Sequence, residues 1–186
     1  MEYIDVLDKN GIKTGLTKAK PDIHRDGDWH RAAHLWVLNS HNELLIQRRS
    51  PTKENYPNLW DISVAGHVSV GEDSITAALR ETEEEIGAKF SKEDIHYLFT
   101  VVEQAVLNNG TYIDNEIQDV YLVRTDLEIS DIELQKEEVA EVKFVDLREL
   151  EKKIGNEANV FVPHQEEYEK LFEILKKDLK SRTEWK

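Results

Sequence analysis

The sequence predicts an α/β chain, a layered α/β/α sandwich. Three observations carry that reading. Strand-length apolar or alternating stretches recur between residues 34 and 145, separated by turn signals. A capped acidic helix interrupts them between Gly66 and Ala88. An amphipathic helix then closes the chain. Strands alternating with helices bury their apolar faces best as helices layered on a sheet. With 186 residues the chain suits one domain with a real core. It divides into an N-terminal hairpin and loop (1–29), a core (30–155) and a C-terminal helix (156–186).

Each element has its own signal. EYIDVLDKNGIKTG reads as a small hairpin turning at Asp8-Lys9-Asn10-Gly11. Pro21 to His30 reads as a loop rich in His, Asp and Arg. Strands follow over His34–Leu38 and Leu44–Ile46, with Asn39 to Asn42 as the turn between them. Arg48 to Leu59, with Pro51 and Pro57, is a turn-rich connection, and Trp60–Ala65 is a strand delivering the chain to Gly66. Asp73 or Ser74 caps the next helix, and Gly87 stands where a left-handed glycine stops one. Tyr97–Leu107 and Tyr112–Val123 form a hairpin through Asn108-Asn109-Gly110, and Val139–Val145 is a further strand. Asp146 caps a short helix ending at Gly155. From His164 to about Lys180, Tyr168, Leu171, Phe172, Leu175 and Leu179 recur at helical spacing.

The helix after Gly66 carries the chemistry. At about 100° per residue, with Glu81 at the origin, Glu84 lies near −60° and Glu85 near +40°. Ile75, Ala78, Leu79, Thr82 and Ile86 fall on the adjacent, packing side. Carboxylates spaced i, i+3 and i, i+4 repel by a few tenths of a kcal/mol per pair, roughly, so the cluster calls for a positive charge. A hard divalent cation is the natural one. A solvated acidic face is the ordinary explanation of a glutamate run. The spacing G-x5-E-x7-R-E-x-x-E-E-x-G argues against it here. This segment resembles the signature box of the Nudix hydrolases, with Thr82 where that family usually has an aliphatic residue. The resemblance covers most of the chain from residue 30 to about 150 and implies the same architecture, an α/β/α sandwich with a mixed β-sheet between helices. It implies Glu84 and Glu85 as principal metal ligands, Glu81 as ligand or base, and the Gly66 carbonyl completing the shell. Arg80 would orient a glutamate and Glu72 would brace the loop. Mg²⁺ or Mn²⁺ is the implied cofactor.

A second resemblance surrounds the box. His24-x5-His30, Gln47-Arg48-Arg49-Ser50-x2-Lys53, Pro57-x2-Trp60, Ala65-Gly66-His67 and Asp114-Asn115-Glu116 resemble the branch of the superfamily that includes the type I isopentenyl-diphosphate isomerases. It implies a second metal site of His24, His30, His67, Asp114 and Glu116. Such a donor set suits Mn, Zn or Fe and tolerates Mg. For any lone histidine, a surface or hydrogen-bonded core side chain is the commoner fate; here three of seven fall on the pattern. Asp114 is shorter than the glutamate usual at its place. Arg49 and Lys53 correspond to the basic pair of the phosphate site, the alternative being solvated loop charges. Trp29, Trp36, Trp60 and Tyr112 are aromatic candidates for a base or an isoprenoid, against core or rim packing, and Trp60 is taken as substrate-binding. Ala65 stands where the isomerases carry a catalytic cysteine, and the chain has no cysteine at all. That argues against isomerisation by their mechanism.

Composition sets the outer bounds. A net charge of −14 argues against an electrostatic partnership with nucleic acid or an anionic membrane. The absence of cysteine excludes disulfides and thiol chemistry. Neither a membrane span nor a signal peptide is indicated, so a cytoplasmic protein is expected. The reading is a metal-dependent hydrolase of a diphosphate bond, acting on a nucleoside di- or triphosphate or another X-linked diphosphate. The alternatives are an isopentenyl-diphosphate isomerase and a non-catalytic nucleotide-binding sensor. The tail helix is expected to pack on its own domain, with a homodimer contact as the alternative.

Overall fold

A computed structural model describes residues 1–183 of the chain. Among these described residues, nine strands join one mixed sheet, flanked by four α-helices. The central strand β3 (Trp29–Leu38) runs parallel to β8 (Tyr112–Arg124), from the pair Trp29–Asn115 to Leu38–Arg124. On its other side it pairs antiparallel with β6 (Val64–His67), placing His34 opposite Ala65 and Ala32 opposite His67. β7 (Ile95–Leu107) forms a long hairpin with β8, and β4 (Glu43–Arg49) pairs with β9 (Val139–Asp146). The N-terminal hairpin β1 (Tyr3–Leu7) and β2 (Lys13–Ala19) joins the sheet at Leu7–Trp29.

Alternation along β3 divides the core into two layers. Leu35 and Val37 pack with Ala77, Ala78 and Ile86 of the acidic helix α2 (Ser74–Ile86). Trp36 and Leu38 pack on the other face with Leu150 of α3 (Leu147–Asn156) and with Leu171 and Leu175 of α4 (Gln165–Thr183). Each fully buried leucine contributes about 1.5–3 kcal/mol of transfer free energy. The expected sandwich is thus present, with the tail helix seated on its own sheet. No helix among the described residues is long and apolar enough to cross a membrane.

Two expectations are corrected. The stretch from Pro21 on is no loop: Lys20–Asp26 forms a short helix, α1. Pro21 sits in its first turn, where a missing N–H costs nothing, and Gly27 ends it at φ 70. Seven residues are too few to show a helical period in sequence. Trp60–Ala65 is likewise no single strand. β5 (Trp60–Asp61) pairs with β4, and the chain then crosses to β3 as β6. The Ser63 hydroxyl spans the crossing, donating to the Leu45 carbonyl at 2.5 Å and accepting from Val37 N–H at 2.9 Å.

The caps of α2 fall where spacing put them. Asp73 Oδ1 accepts from Thr76 N–H at 2.8 Å, and Gly87 closes the helix at φ 70. Asp73→Ala is expected to cost about 1 kcal/mol. For a chain of this size that lowers the thermal midpoint by about 2–4 °C in a calorimetric scan. An unchanged midpoint would show that the cap contributes nothing.

Candidate active site

A cavity of about 910 Å³ opens between α2, the first turn of α1, the loop after β4 and the ends of β7 and β8. One wall is the acidic helix. Glu81, Glu84 and Glu85 all line it, together with Gly66 and Arg80. Arg80 organises this wall. It grips Glu72 with two nitrogens, at 2.9 and 3.0 Å, and donates to the His67 carbonyl at 3.0 Å. Its third nitrogen reaches Glu81 at 2.7 Å and Glu84 at 3.1 Å. Glu72 in turn accepts from Ser69 N–H at 3.2 Å, which ties the loop to the helix.

The helical wheel placed Glu85 on the presented face, and the structure buries it. Gln47 donates to its carboxylate at 2.9 Å. Burial, reinforced by the charge of Glu81, pushes Glu85 up to about 8. Burial also raises Glu81 to about 7, against the pull of Arg80. Both carboxylates are therefore costly to ionise without a further positive charge.

The floor of the cavity gathers the histidines. His24, from α1, lies with its Nε2 at 3.2 Å from His67 Nε2 on β6. His30, on β3, lies at 3.2 Å from Glu116 on β8, which also sits 3.3 Å from His67. Asp114 approaches His24 at 3.4 Å and His30 at 3.5 Å. All five residues of the expected second set thus meet. His24/His30/His67 and His30/Asp114/Glu116 each place three ligand atoms within 4.8 Å of one another. Among the described residues, Glu81, Glu84 and Glu85 of α2 are not in such groups; Arg80 is ion-paired with both Glu81 and Glu84.

The donor set fits a divalent cation on its own chemistry. His24 Nδ1 and Asp114 Oδ1 are buried with no hydrogen-bond partner. Burial lowers His24 and His67 to about 3, leaving neutral imidazoles that have lone pairs to give. Burial works to lower His30 as well, but Glu116 outweighs it and raises it. Glu116 is held well below its usual range by His30 and His67 against the cost of its own burial. Asp114 is pushed up by burial and by Glu116. The ring of Tyr112 stacks on His24 at 4.1 Å and steadies it.

The remaining wall carries the cations. Arg49 bonds Asp61 at 2.8 Å and the Asn55 carbonyl at 3.1 Å, and Lys53 is ion-paired with Glu138. Both line the cavity. Trp60 does not meet its expected role. Its ring packs against the core beneath the Lys143 ammonium at 3.6 Å and is not part of the cavity lining. Asp61, one residue on and so on the other side of the strand, lines the cavity instead. Trp36 is core.

Several lining residues escaped the sequence reading. Lys20 sits at the start of α1, 3.4 Å from Glu2, a position hidden while that segment read as loop. Glu103 faces Glu116 across the β7–β8 pair, and His164 reaches in from just before α4. Strand register places Glu103, and the packing of α1 and α4 on the sheet places Lys20 and His164; local spacing shows neither.

Fold and site together define a class: an α/β/α sandwich whose glycine-led acidic helix lines a deep polar cavity. The chain belongs to the NUDIX domain family, which matches residues 28–165. It is 42% identical to Nudix hydrolase 3 of Arabidopsis thaliana over 188 residues, a match spanning 98% of this chain and 24% of that protein. It is 32% identical to isopentenyl-diphosphate Delta-isomerase 2 of Photorhabdus laumondii over 160 residues, 86% of each chain. A solved Deinococcus radiodurans structure shares the fold, with a TM-score of 0.65 at 22% identity, covering 83% of this chain and 89% of that one.

Proposed function

We propose that the chain hydrolyses the phosphoanhydride bond of a nucleoside di- or triphosphate, or of another X-linked diphosphate, with Mg²⁺ or Mn²⁺. One observation carries this reading. The Arg80-braced glutamates of α2 share a single cavity with the cations Arg49 and Lys53. A diphosphate spanning the two walls meets positive side chains at one end and acidic side chains at the other. Glu81, Glu84, Glu85 and the Gly66 carbonyl would hold the catalytic metal; the histidine–acid set would hold a second. Bound there, a divalent ion supplies charge neutralisation of the phosphates and a more acidic water. The chain's own residues position and neutralise. Arg80 aims Glu81 and Glu84, Arg49 and Lys53 take phosphate oxygens, and Glu81 serves as ligand or base. Hydrolysis of this kind needs positioning and electrostatics rather than a covalent nucleophile. Ala65 lines the cavity with no group to exchange a proton with carbon, which favours hydrolysis over isomerisation.

The test is a hydrolysis screen with Mg²⁺ and Mn²⁺ across nucleoside di- and triphosphates, nucleotide sugars, dinucleoside polyphosphates and isoprenyl diphosphates. Turnover of at least one class is expected. Tight binding without turnover across the panel would favour a sensor, and isomer exchange of isopentenyl diphosphate by NMR would favour an isomerase.

Metal binding also predicts a pH signature. Glu81 and Glu85 have folded values above the usual 4.5, so between about pH 4.5 and 8 the folded chain binds more protons than the unfolded one. Their contribution to stability is present below that window and is lost as pH rises through it. A cation takes over the neutralising role and displaces the protons. The rise in melting temperature on adding Mg²⁺ to chelator-treated protein is therefore expected to be larger near pH 8 than near pH 5. Equal shifts at both would remove the glutamates from the metal site.

A further inference from the structure

His164 belongs to neither metal set, yet it occupies the joint between the two halves of the cavity. Its Nε2 lies 3.2 Å from Asp61 Oδ1, and its Nδ1 lies 2.9 Å from Glu103 Oε2. With a carboxylate oxygen at each ring nitrogen, both nitrogens act as donors and the imidazole is a cation. Asp61 and Glu103 raise His164 well above its ordinary value, against the burial that opposes it. The position is rigid. His164 accepts from Tyr168 N–H at 3.0 Å in the first turn of α4, and its own N–H donates to the Val162 carbonyl at 2.9 Å. Tyr168, Leu171 and Leu175 then fix α4 in the core.

Asp61 connects His164 to the phosphate wall. Its Oδ2 accepts from Arg49, while its Oδ1 accepts from Ile62 N–H at 2.8 Å and faces His164. Arg49⁺, Asp61⁻, His164⁺ and Glu103⁻ thus balance. Removing the imidazolium leaves one excess negative charge beside Arg49, in a cavity already lined by Glu54, Glu84 and Glu138. Arg49 would then be the only one of these two cations left to balance Asp61, and an incoming diphosphate would meet repulsion. On the other side, Gln118 Nε2 links Glu103 at 3.1 Å to Glu116 at 2.9 Å, so the same imidazole also steadies the histidine centre.

We propose that His164 is a positioning residue of the phosphate wall: by holding Asp61 and Glu103 it keeps the Arg49 guanidinium receptive to a diphosphate. The inference rests on the reading of Arg49 as a phosphate ligand. It is tested by calorimetric titration with inorganic pyrophosphate and Mg²⁺ at neutral pH, which needs no turnover. His164→Gln is expected to weaken the pyrophosphate Kd about 10-fold, equivalent to about 1.4 kcal/mol. Adding Asp61→Asn to it removes the uncompensated carboxylate and is expected to restore the Kd to within about 3-fold of wild type. Asp61→Asn alone, an arm independent of how any His164 variant folds, is expected to bind at least as tightly as wild type. A purely structural histidine would lower the melting temperature and leave the Kd unmoved. Unchanged affinity in His164→Gln, a double variant weaker than His164→Gln, or weakened binding by Asp61→Asn overturns the proposal. Wild-type protein that binds no pyrophosphate overturns both this inference and the diphosphate reading beneath it.

Discussion

Glu84→Gln and Glu85→Gln are each expected to lower phosphate-releasing hydrolysis on the order of 10³-fold, about 4 kcal/mol of transition-state stabilisation. The two variants are expected to differ sharply in stability. Glu84 has a side chain half exposed and one ion pair with Arg80, so its amide variant loses at most about 1 kcal/mol. Glu85 is buried, and its carboxylate is pushed up to about 8. Glutamine keeps the shape, can still accept from Gln47, and removes a charge that is costly to bury. Without added metal at neutral pH or above, Glu85→Gln is therefore expected to melt higher than wild type while being nearly inactive. A catalytic carboxylate held at the expense of the fold behaves this way. Steady-state kinetics and a paired thermal scan check both statements. Unchanged turnover in both variants would end the assignment of α2 as the catalytic wall.

The contrast between these two glutamates also shows how far the sequence could be read. The period of α2, a cap at Asp73 or Ser74 and the Gly87 stop were all legible, because local backbone chemistry sets them, and the structure chooses Asp73. The wheel put Glu84 and Glu85 on one acidic face. It could not tell that Gln47, 38 residues earlier, would cover Glu85 and bury it. The histidine centre was legible only through resemblance. His24, His30, His67, Asp114 and Glu116 come from α1, β3, β6 and β8, and meet through the register His30–Glu116 and Ala32–His67. No local pattern encodes such pairings. Trp60 shows the reverse error: an aromatic residue beside a motif suggested a ligand contact, but strand alternation turned Asp61 to the cavity and left Trp60 under Lys143. α1 failed for a third reason, being too short to carry a period.

Gly66→Ala is expected to reduce hydrolysis about 100-fold while the chain still folds. The sequence reading gave Gly66 a role through its carbonyl; the structure adds a stricter one. A Cβ at residue 66 would lie 2.0 Å from Glu81 Cδ and 2.2 Å from its Cγ, so the carboxylate occupies the space that any side chain there would need. Glu81 is the element that must yield, because Gly66 is held in the β6–β3 ladder opposite Ala33. Its side chain can swing away, which limits the cost to stability and predicts a melting temperature within a few degrees of wild type. The functional cost is larger. Swinging out breaks the 2.7 Å contact with Arg80 and moves the carboxylate from its place beside the glycine turn. Displacement of a catalytic group by about 1 Å is enough for a loss on the order of 100-fold. A shared cause can be checked directly. If Gly66→Ala acts by displacing Glu81, then combining it with Glu81→Gln should cost little more than Glu81→Gln alone, since both remove the same carboxylate from the same place. Additive losses would mean that the glycine serves the site by some other route, and activity within threefold of wild type would mean that the close approach of Glu81 to the turn has no bearing on the chemistry.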